Sequence, residues 1–337
     1  MMLSIVVPCF NEEACLPELR QRLGAAALHA VGDDYELVLV NDGSRDGSWP
    51  IMQRMAAEDP HVVAVNLSRN HGHQLALTAG LDLCRGDTIL IIDADLQDPP
   101  ELLPAMLACM RDQQADVVYG VRKSRAGETA FKRATAHGFY RLLSRATEVD
   151  IPVDAGDFRL MSRRALDALL AMPEQARFIR GMVAWIGFGQ VPFAYDRQQR
   201  FAGETKYPFK RMLRFALDAL TGFSSAPLKL ATHAGLWLAA GSVLLILYIA
   251  YAWIAGESIP GWTSLMAVVL VLGAMQMFVL ALMGEYIGRL YNEAKRRPLY
   301  IVQDIAGQPA ERATRLGVIA SPAKPQPSRR SKRSPRS

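Results

Sequence analysis

No Gly-x-Gly-x-x-Gly follows the first apolar run, and no Gly-x-x-x-x-Gly-Lys-Ser/Thr occurs in the 337 residues. These absences argue against dinucleotide oxidoreductases and P-loop nucleotidases. Cysteine is scarce: Cys9, Cys15, Cys84 and Cys109 show no metal-type spacing and read as reduced, partly buried thiols. No basic leader precedes Leu3-Ser4-Ile5-Val6-Val7, so no N-terminal signal peptide is expected. No internal repeat is visible.

Charge is missing from two long stretches. Leu228–Ile254 carries no Lys, Arg, Asp or Glu after Lys229, and Trp262–Met283 carries none at all. Each exceeds the ~20 apolar residues that a bilayer-crossing helix needs, and Trp237, Tyr248, Tyr251, Trp253 and Trp262 supply candidates for interface anchoring. The connector 255–261 has no Lys or Arg. Lys206, Lys210, Arg211 and Arg214 precede the pair, and Arg289, Lys295, Arg296 and Arg297 follow it. The positive-inside rule then places both long flanks in the cytoplasm. The tail from Ala320 is Pro, Ser, Lys and Arg, a composition expected to be disordered and able to meet anionic lipid.

What is present is organised. Residues 3–120 alternate strand and helix signals. Strands are expected at Leu3–Pro8, Glu36–Val40, Val62–Leu67, Thr88–Ile92 and Val117–Tyr119. Helices are expected at Glu12–Leu28, after Ser44 through Met55, at Gln74–Cys84 and from Pro99 to Arg111. Helix-length segments between strands indicate right-handed crossovers and a mostly parallel sheet with helices on both faces. Residues 122–147 interleave Arg and Lys with aromatics. They fit either a membrane-surface helix or an ordinary solvated one. Residues 208–220 repeat the pattern more sharply just before the first long apolar run, and read as an interfacial helix.

Three strand ends carry polar residues that could meet in one crevice: Pro8-Cys9-Phe10-Asn11-Glu12, Asn41-Asp42-Gly43-Ser44 and Asp93-Ala94-Asp95-Leu96-Gln97. Ligands of parallel sheets bind beyond the carboxyl ends of the strands. Asp93 and Asp95, alternating across Ala94 where a buried strand stops, can hold a hard divalent cation against a diphosphate. Such an ion suits a diphosphate leaving group, on which charge builds. Glu12 and Asp42 can accept from ribose hydroxyls or a base N–H. His71 and His73, around Gly72, fit contact with a donor phosphate or helix-entry chemistry better than a metal pair. His233 reads as interfacial, and Glu285 as marking the water boundary.

The stretches Ile5–Glu13, Val40–Gly47 and Asp93–Glu101 around these ends, with Asp154-Ala155-Gly156-Asp157-Phe158-Arg159-Leu160 and Arg200-Phe201-Ala202-Gly203-Glu204-Thr205-Lys206-Tyr207, resemble the family 2 glycosyltransferases. More narrowly they resemble the polyprenyl-phosphate group that includes dolichyl-phosphate mannose synthase and bactoprenol glucosyltransferase. The resemblance implies an α/β A-type nucleotide-binding domain with amphipathic interfacial helices and a C-terminal two-helix transmembrane hairpin. It implies that Pro8, Phe10, Glu12 and Asp42 line a nucleoside pocket and that Asp93 sits near ribose and diphosphate. Asp95 and Gln97, with Asp93, would hold Mg2+ or Mn2+. Asp157 matches the candidate catalytic carboxylate, as a base or a positioning group, with a conformational role in a turn at Gly156 as the competing reading. Arg200 and Lys206 would bind the diphosphate or the acceptor phosphate.

The implied organisation is a cytoplasmic catalytic domain (1–200), an interfacial segment (201–227), a hairpin (228–290, with helices near 229–254 and 262–284) and a cytoplasmic tail (291–337). The implied reaction is inverting transfer of a hexose, first choice glucose from UDP-glucose, to undecaprenyl phosphate at the inner membrane. The partners implied are a nucleotide sugar, a polyprenyl phosphate and membrane lipid, without nucleic acid; a homo-oligomer stays open. A processive polysaccharide synthase is a rival, but 197–201 lacks that group's Gln-x-x-Arg-Trp and two spans form no channel. A non-catalytic nucleotide-sugar-binding scaffold is the other.

Overall fold

The computed structural model describes residues 1–122, 155–197, 226–255 and 261–307. The basic segment after Arg122, the interfacial segment 208–220, Arg200, Lys206 and the tail from Ala320 lie outside them. The chain divides into two units, Met1–Asp95 with 300–337, and Leu96–Leu299.

The first unit holds β1 (Leu3–Cys9), α1 (Leu16–Val31), β2 (Tyr35–Asn41), α2 (Ser48–Glu58), β3 (Val62–Leu67), α3 (His73–Leu83), β4 (Thr88–Ile91) and β8 (Val302–Ala306). Its strands lie in the order β4-β1-β2-β3-β8. The four N-terminal strands are mutually parallel, and β8 pairs antiparallel with β3. Ile5, Val6, Val7, Leu37, Val38, Leu39, Val40 and Val62–Val65 are all buried. That is why these strands read as unbroken apolar runs: a parallel sheet is covered on both faces. Gly80 on α3 would place a Cβ 3.0 Å from Val40 Cγ2, so its missing side chain lets that helix lie close on the sheet.

β1 runs one residue beyond the expected stop at Pro8. The ladder to β4 ends at Val6 and Ile91, two residues earlier, so the proline ring removes no bond from that neighbour. α1 begins at Leu16 instead of Glu12, because Asn11 turns at φ 57° and the Glu12 carbonyl accepts from Cys15 and Leu16 in a preceding turn. The helix after β4 begins as a short 3-10 turn at Pro100–Leu102, and α4 (Leu103–Asp112) follows in the second unit.

The second unit adds β5 (Val117–Arg122), β6 (Ala155–Ser162), α5 (Arg163–Leu170), α6 (Ile179–Trp185) and β7 (Gln190–Tyr195). β5 lies between β7, to which it is parallel, and β6, to which it is antiparallel. Gly156 and Asp157 both sit within β6 and not in a turn, so the competing reading of Asp157 as a turn residue is set aside.

The same unit contains α7 (Ala226–Ile254) and α8 (Trp262–Ala294). Their apolar stretches Ala231–Ala252 and Val268–Ala294 are long enough to cross a membrane. Leu236, Trp237, Leu244 and Met277 are each at least two-thirds exposed, which is the reverse of what core helices of a water-soluble fold show. So much exposed apolar surface marks membrane association. α8 runs ten residues past the expected end of the second span at 284, and its Glu285 pairs with Arg289 one turn on at 3.2 Å.

Candidate active site

In the first unit the carboxyl ends of β1, β2 and β4 share one edge, because the three strands are parallel neighbours with Cys9 opposite Asn41 and Val6 opposite Ile91. Pro8, Phe10, Glu12, Asp42, Asp93 and Asp95 therefore gather there. The loops that carry them interlock through backbone bonds. Asn11 N–H donates to Ser44 Oγ at 2.9 Å, and Arg45 N–H returns a bond to Asn11 Oδ1 at 2.9 Å. Glu12 N–H donates to Ser48 Oγ at 3.0 Å. Gly47 N–H donates to Glu13 Oε2 at 2.5 Å, while Asp46 accepts from Glu13 N–H. Asn41 ties β2 to β3 by donating to Asn66 Oδ1 at 2.7 Å. Gly43, at φ 65°, passes so close to Arg69 and Asn70 that a Cβ would fall 2.5 Å from their backbone. Only glycine fits that crossing.

Phe10 is 44% exposed beside this framework, an open aromatic face of the kind on which a base can stack. Asp42 is buried instead. Its Oδ1 accepts from His71 N–H at 2.7 Å and its Oδ2 from Gly72 N–H at 2.9 Å, so it holds the loop that leads into α3. Burial raises the Asp42 carboxyl above its ordinary value, partly offset by those two N–H groups. His73 opens α3, and its Nε2 stands 3.6 Å from Asp93 Oδ1. The His71 backbone thus serves helix entry, and the His73 ring meets Asp93.

Asp93 is partly exposed and Asp95 is buried; Gln97 follows two residues later, at the start of the second unit. Among the described residues no three His, Cys, Asp or Glu side chains form a ready-made metal cluster. The two carboxylates at the end of β4 are oxygen donors suited to a hard divalent ion. Such a set leaves coordination positions for phosphate oxygens.

The second unit places Asp157 on β6, 6% exposed. Arg180 of α6 grips it in two-pronged fashion, Nε to Oδ1 at 2.7 Å and Nη2 to Oδ2 at 3.2 Å. Arg159, two residues along the strand and fully buried, lies 3.8 Å away and donates to Gly156 O at 3.0 Å. Burial pulls the Arg159 guanidinium down to about 10, against the pull of Asp157, and it stays charged at neutral pH. One carboxylate thus lies within reach of two guanidinium groups. Sequence reasoning passes over Arg180, which is remote along the chain and carries no motif. Arg159 has a detectable signal, a charge inside the apolar alternation Phe158-Arg159-Leu160.

Residues 4–170 match the model of glycosyl transferase family 2, and residues 226–290 match that of the GtrB C-terminal hairpin. The chain is 47% identical to the uncharacterized glycosyltransferase YkcC of Bacillus subtilis over 305 residues, covering 90% of this chain and 94% of the relative. It is 37% identical to the prophage bactoprenol glucosyl transferase homolog of Escherichia coli, covering 90% and 99%. It is 36% identical to the bactoprenol glucosyl transferase of Shigella phage SfV, covering 90% and 99%. The chain belongs to glycosyltransferase family 2, with a GtrB-type C-terminal hairpin, and is a glycosyltransferase.

Proposed function

We propose that the protein transfers glucose from UDP-glucose to undecaprenyl phosphate with inversion, at the cytoplasmic face of the inner membrane. The observation that carries this reading is the pairing of a family 2 domain with an exposed apolar hairpin on one chain. A donor that dissolves in water then meets an acceptor that does not. Relatives named bactoprenol glucosyl transferase, matched along nearly their whole length, support the lipid acceptor and the sugar.

In this reading Pro8, Phe10 and Glu12 line the nucleoside pocket, and Asp42 shapes it by fixing the 71–72 backbone. Asp93, Asp95 and Gln97 would hold Mg2+ or Mn2+, which neutralises charge on a departing diphosphate when bound. Arg200 and Lys206 are proposed to grip phosphate, the first bidentately and the second as a point charge. The acceptor phosphate oxygen attacks the anomeric carbon from the face opposite the departing nucleotide. That oxygen is already ionised near neutral pH, so no base need take a proton from it. Asp157, locked by Arg180, suits positioning better than proton abstraction.

The test is a donor screen with full-length protein in detergent and undecaprenyl phosphate, with the lipid product read by mass. Glucosyl product from UDP-glucose alone is expected. Product from another sugar nucleotide revises the donor. Nucleotide binding without any lipid product overturns the reading in favour of a scaffold.

A further inference from the structure

Between Asp95 and Gln97 the chain does something costly. Leu96, a branched residue that is 1% exposed, takes φ 57°, in the left-handed region. That conformation costs a residue other than glycine about 1–2 kcal/mol, so the surroundings must impose it. The constraint is visible two residues later. Asp98 is 2% exposed, and its Oδ1 accepts from Tyr195 Oη at 2.5 Å and from Arg197 Nε at 3.2 Å.

Tyr195, at the end of β7, is itself wedged. A Cβ on Gly120 would fall 2.7 Å from the Tyr195 ring and 2.9 Å from that of Phe158. Phe158 meets the Tyr195 ring edge to face, with centroids 5.4 Å apart. Arg122 hydrogen-bonds the Tyr195 side chain from the end of β5. Glycine at 120 is thus the space in which this tyrosine stands, and Phe158 is the direct neighbour of Asp157. A buried carboxylate is expensive unless it is paired. Here a three-strand platform supplies the pairing.

We propose that Asp98, held by Tyr195 and Arg197, is a positioning residue: it pins the exit of the strained Leu96 turn and so sets Gln97 for a divalent ion. This rests on the reading of Gln97 as a ligand of that ion. Groups that orient metal ligands typically account for roughly 10- to 100-fold in metal affinity. Tyr195→Phe is the sharp variant, since it keeps the ring between Gly120 and Phe158 and removes one hydroxyl. Asp98→Asn is the second.

The full-length protein in detergent, with UDP present, is titrated with Mn2+, and free ion is followed by electron paramagnetic resonance beside a thermal melt. Tyr195→Phe is expected to need roughly 10-fold more Mn2+ for half-occupancy while melting close to wild type. An unchanged Mn2+ titration in folded Tyr195→Phe and Asp98→Asn overturns the proposal while leaving the metal reading intact. Wild-type protein that takes up no Mn2+ with UDP overturns the metal reading, and this proposal with it. If both variants fail to fold, the contact is an anchor of the fold and the positioning role falls.

Discussion

Asp157 is where the chemistry of a single residue decides between roles. Its oxygens are occupied by Arg180 Nε and Nη2, and Arg159 stands 3.8 Å off. A carboxylate with both oxygens engaged by one guanidinium is fixed in place, which suits positioning. The expectation is that Asp157→Asn lowers kcat about 100-fold by misplacing the reacting groups, the scale of a 1 Å error. The pH–rate profile should keep its shape, since the ionisation that matters belongs to the acceptor phosphate, whose second pKa lies near 6. A variant that loses the acid limb of the wild-type profile would identify Asp157 as the base. The substitution also strips the counter-charge from buried Arg159, and breaking a buried pair costs about 3–5 kcal/mol. Thermal melts beside the kinetics separate the two effects.

At the scale of elements, the junction of β5, β6 and α5 is built on one carboxylate. Asp116, just before β5, accepts from Ser162 Oγ at 2.8 Å and from both Nε and Nη2 of Arg164. Ser162 in turn caps α5 by accepting from Ala165 N–H at 3.3 Å. The Arg164 hydrogen bonds, more than any other cause, hold the Asp116 carboxyl below its ordinary value. A carboxylate whose pKa is depressed by folding contributes stability above its unfolded value of about 3.9. That contribution is lost as pH falls through the folded value. Wild-type protein should therefore lose melting temperature below about pH 4, and Asp116→Asn should be less stable at pH 7 with a shallower acid limb. Equal slopes in melts from pH 7 to pH 3 would assign the acid limb to other groups.

The same elements show where sequence is readable. β1 to β4 are apolar runs buried on both faces, so composition and length identify them, and their polar ends at Phe10–Glu12, Asp42 and Asp93–Asp95 fall at one sheet edge, where the candidate site residues gather. β6 is harder. Gly156, Asp157 and Arg159 interrupt it, and their polarity is satisfied by Arg180, which no local pattern announces. β7 contains Pro192 and is only half covered, so alternation is weak. α4 starts late because Pro104, which lacks an N–H, is accommodated in the first turn of the helix and nowhere deeper. Asp98 lies within the Asp93–Glu101 stretch that carries the family resemblance, yet its partner Tyr195 stands almost a hundred residues downstream.

On the scale of the whole molecule, the second apolar helix is followed by a return. β8 comes from a stretch that reads as tail, Val302-Gln303-Asp304-Ile305-Ala306, and is a strand only because β3 is there to receive it. Tyr300 Oη donates to Asp82 at 2.6 Å, and Asn66 reaches Asp304 at 3.4 Å, so the return is fastened by side chains as well as by the ladder. Meanwhile Glu293, at the end of α8, accepts from Gln175 N–H with both oxygens, at 2.9 and 3.1 Å, just ahead of the helix that carries Arg180. The hairpin is thus fastened into the second unit before the chain goes on to complete the first. Without β8, the buried, β-branched strand Val62–Leu67 becomes an open sheet edge, which is a template for pairing with other chains. A chain ending at Leu299 should melt lower and aggregate in detergent, whereas one ending at Gly307 should match the full-length protein. Size-exclusion profiles and melts of the two truncations test this. If the shorter chain stays monodisperse with an unchanged melting point, β8 is an ornament on β3 and the edge is protected by something else.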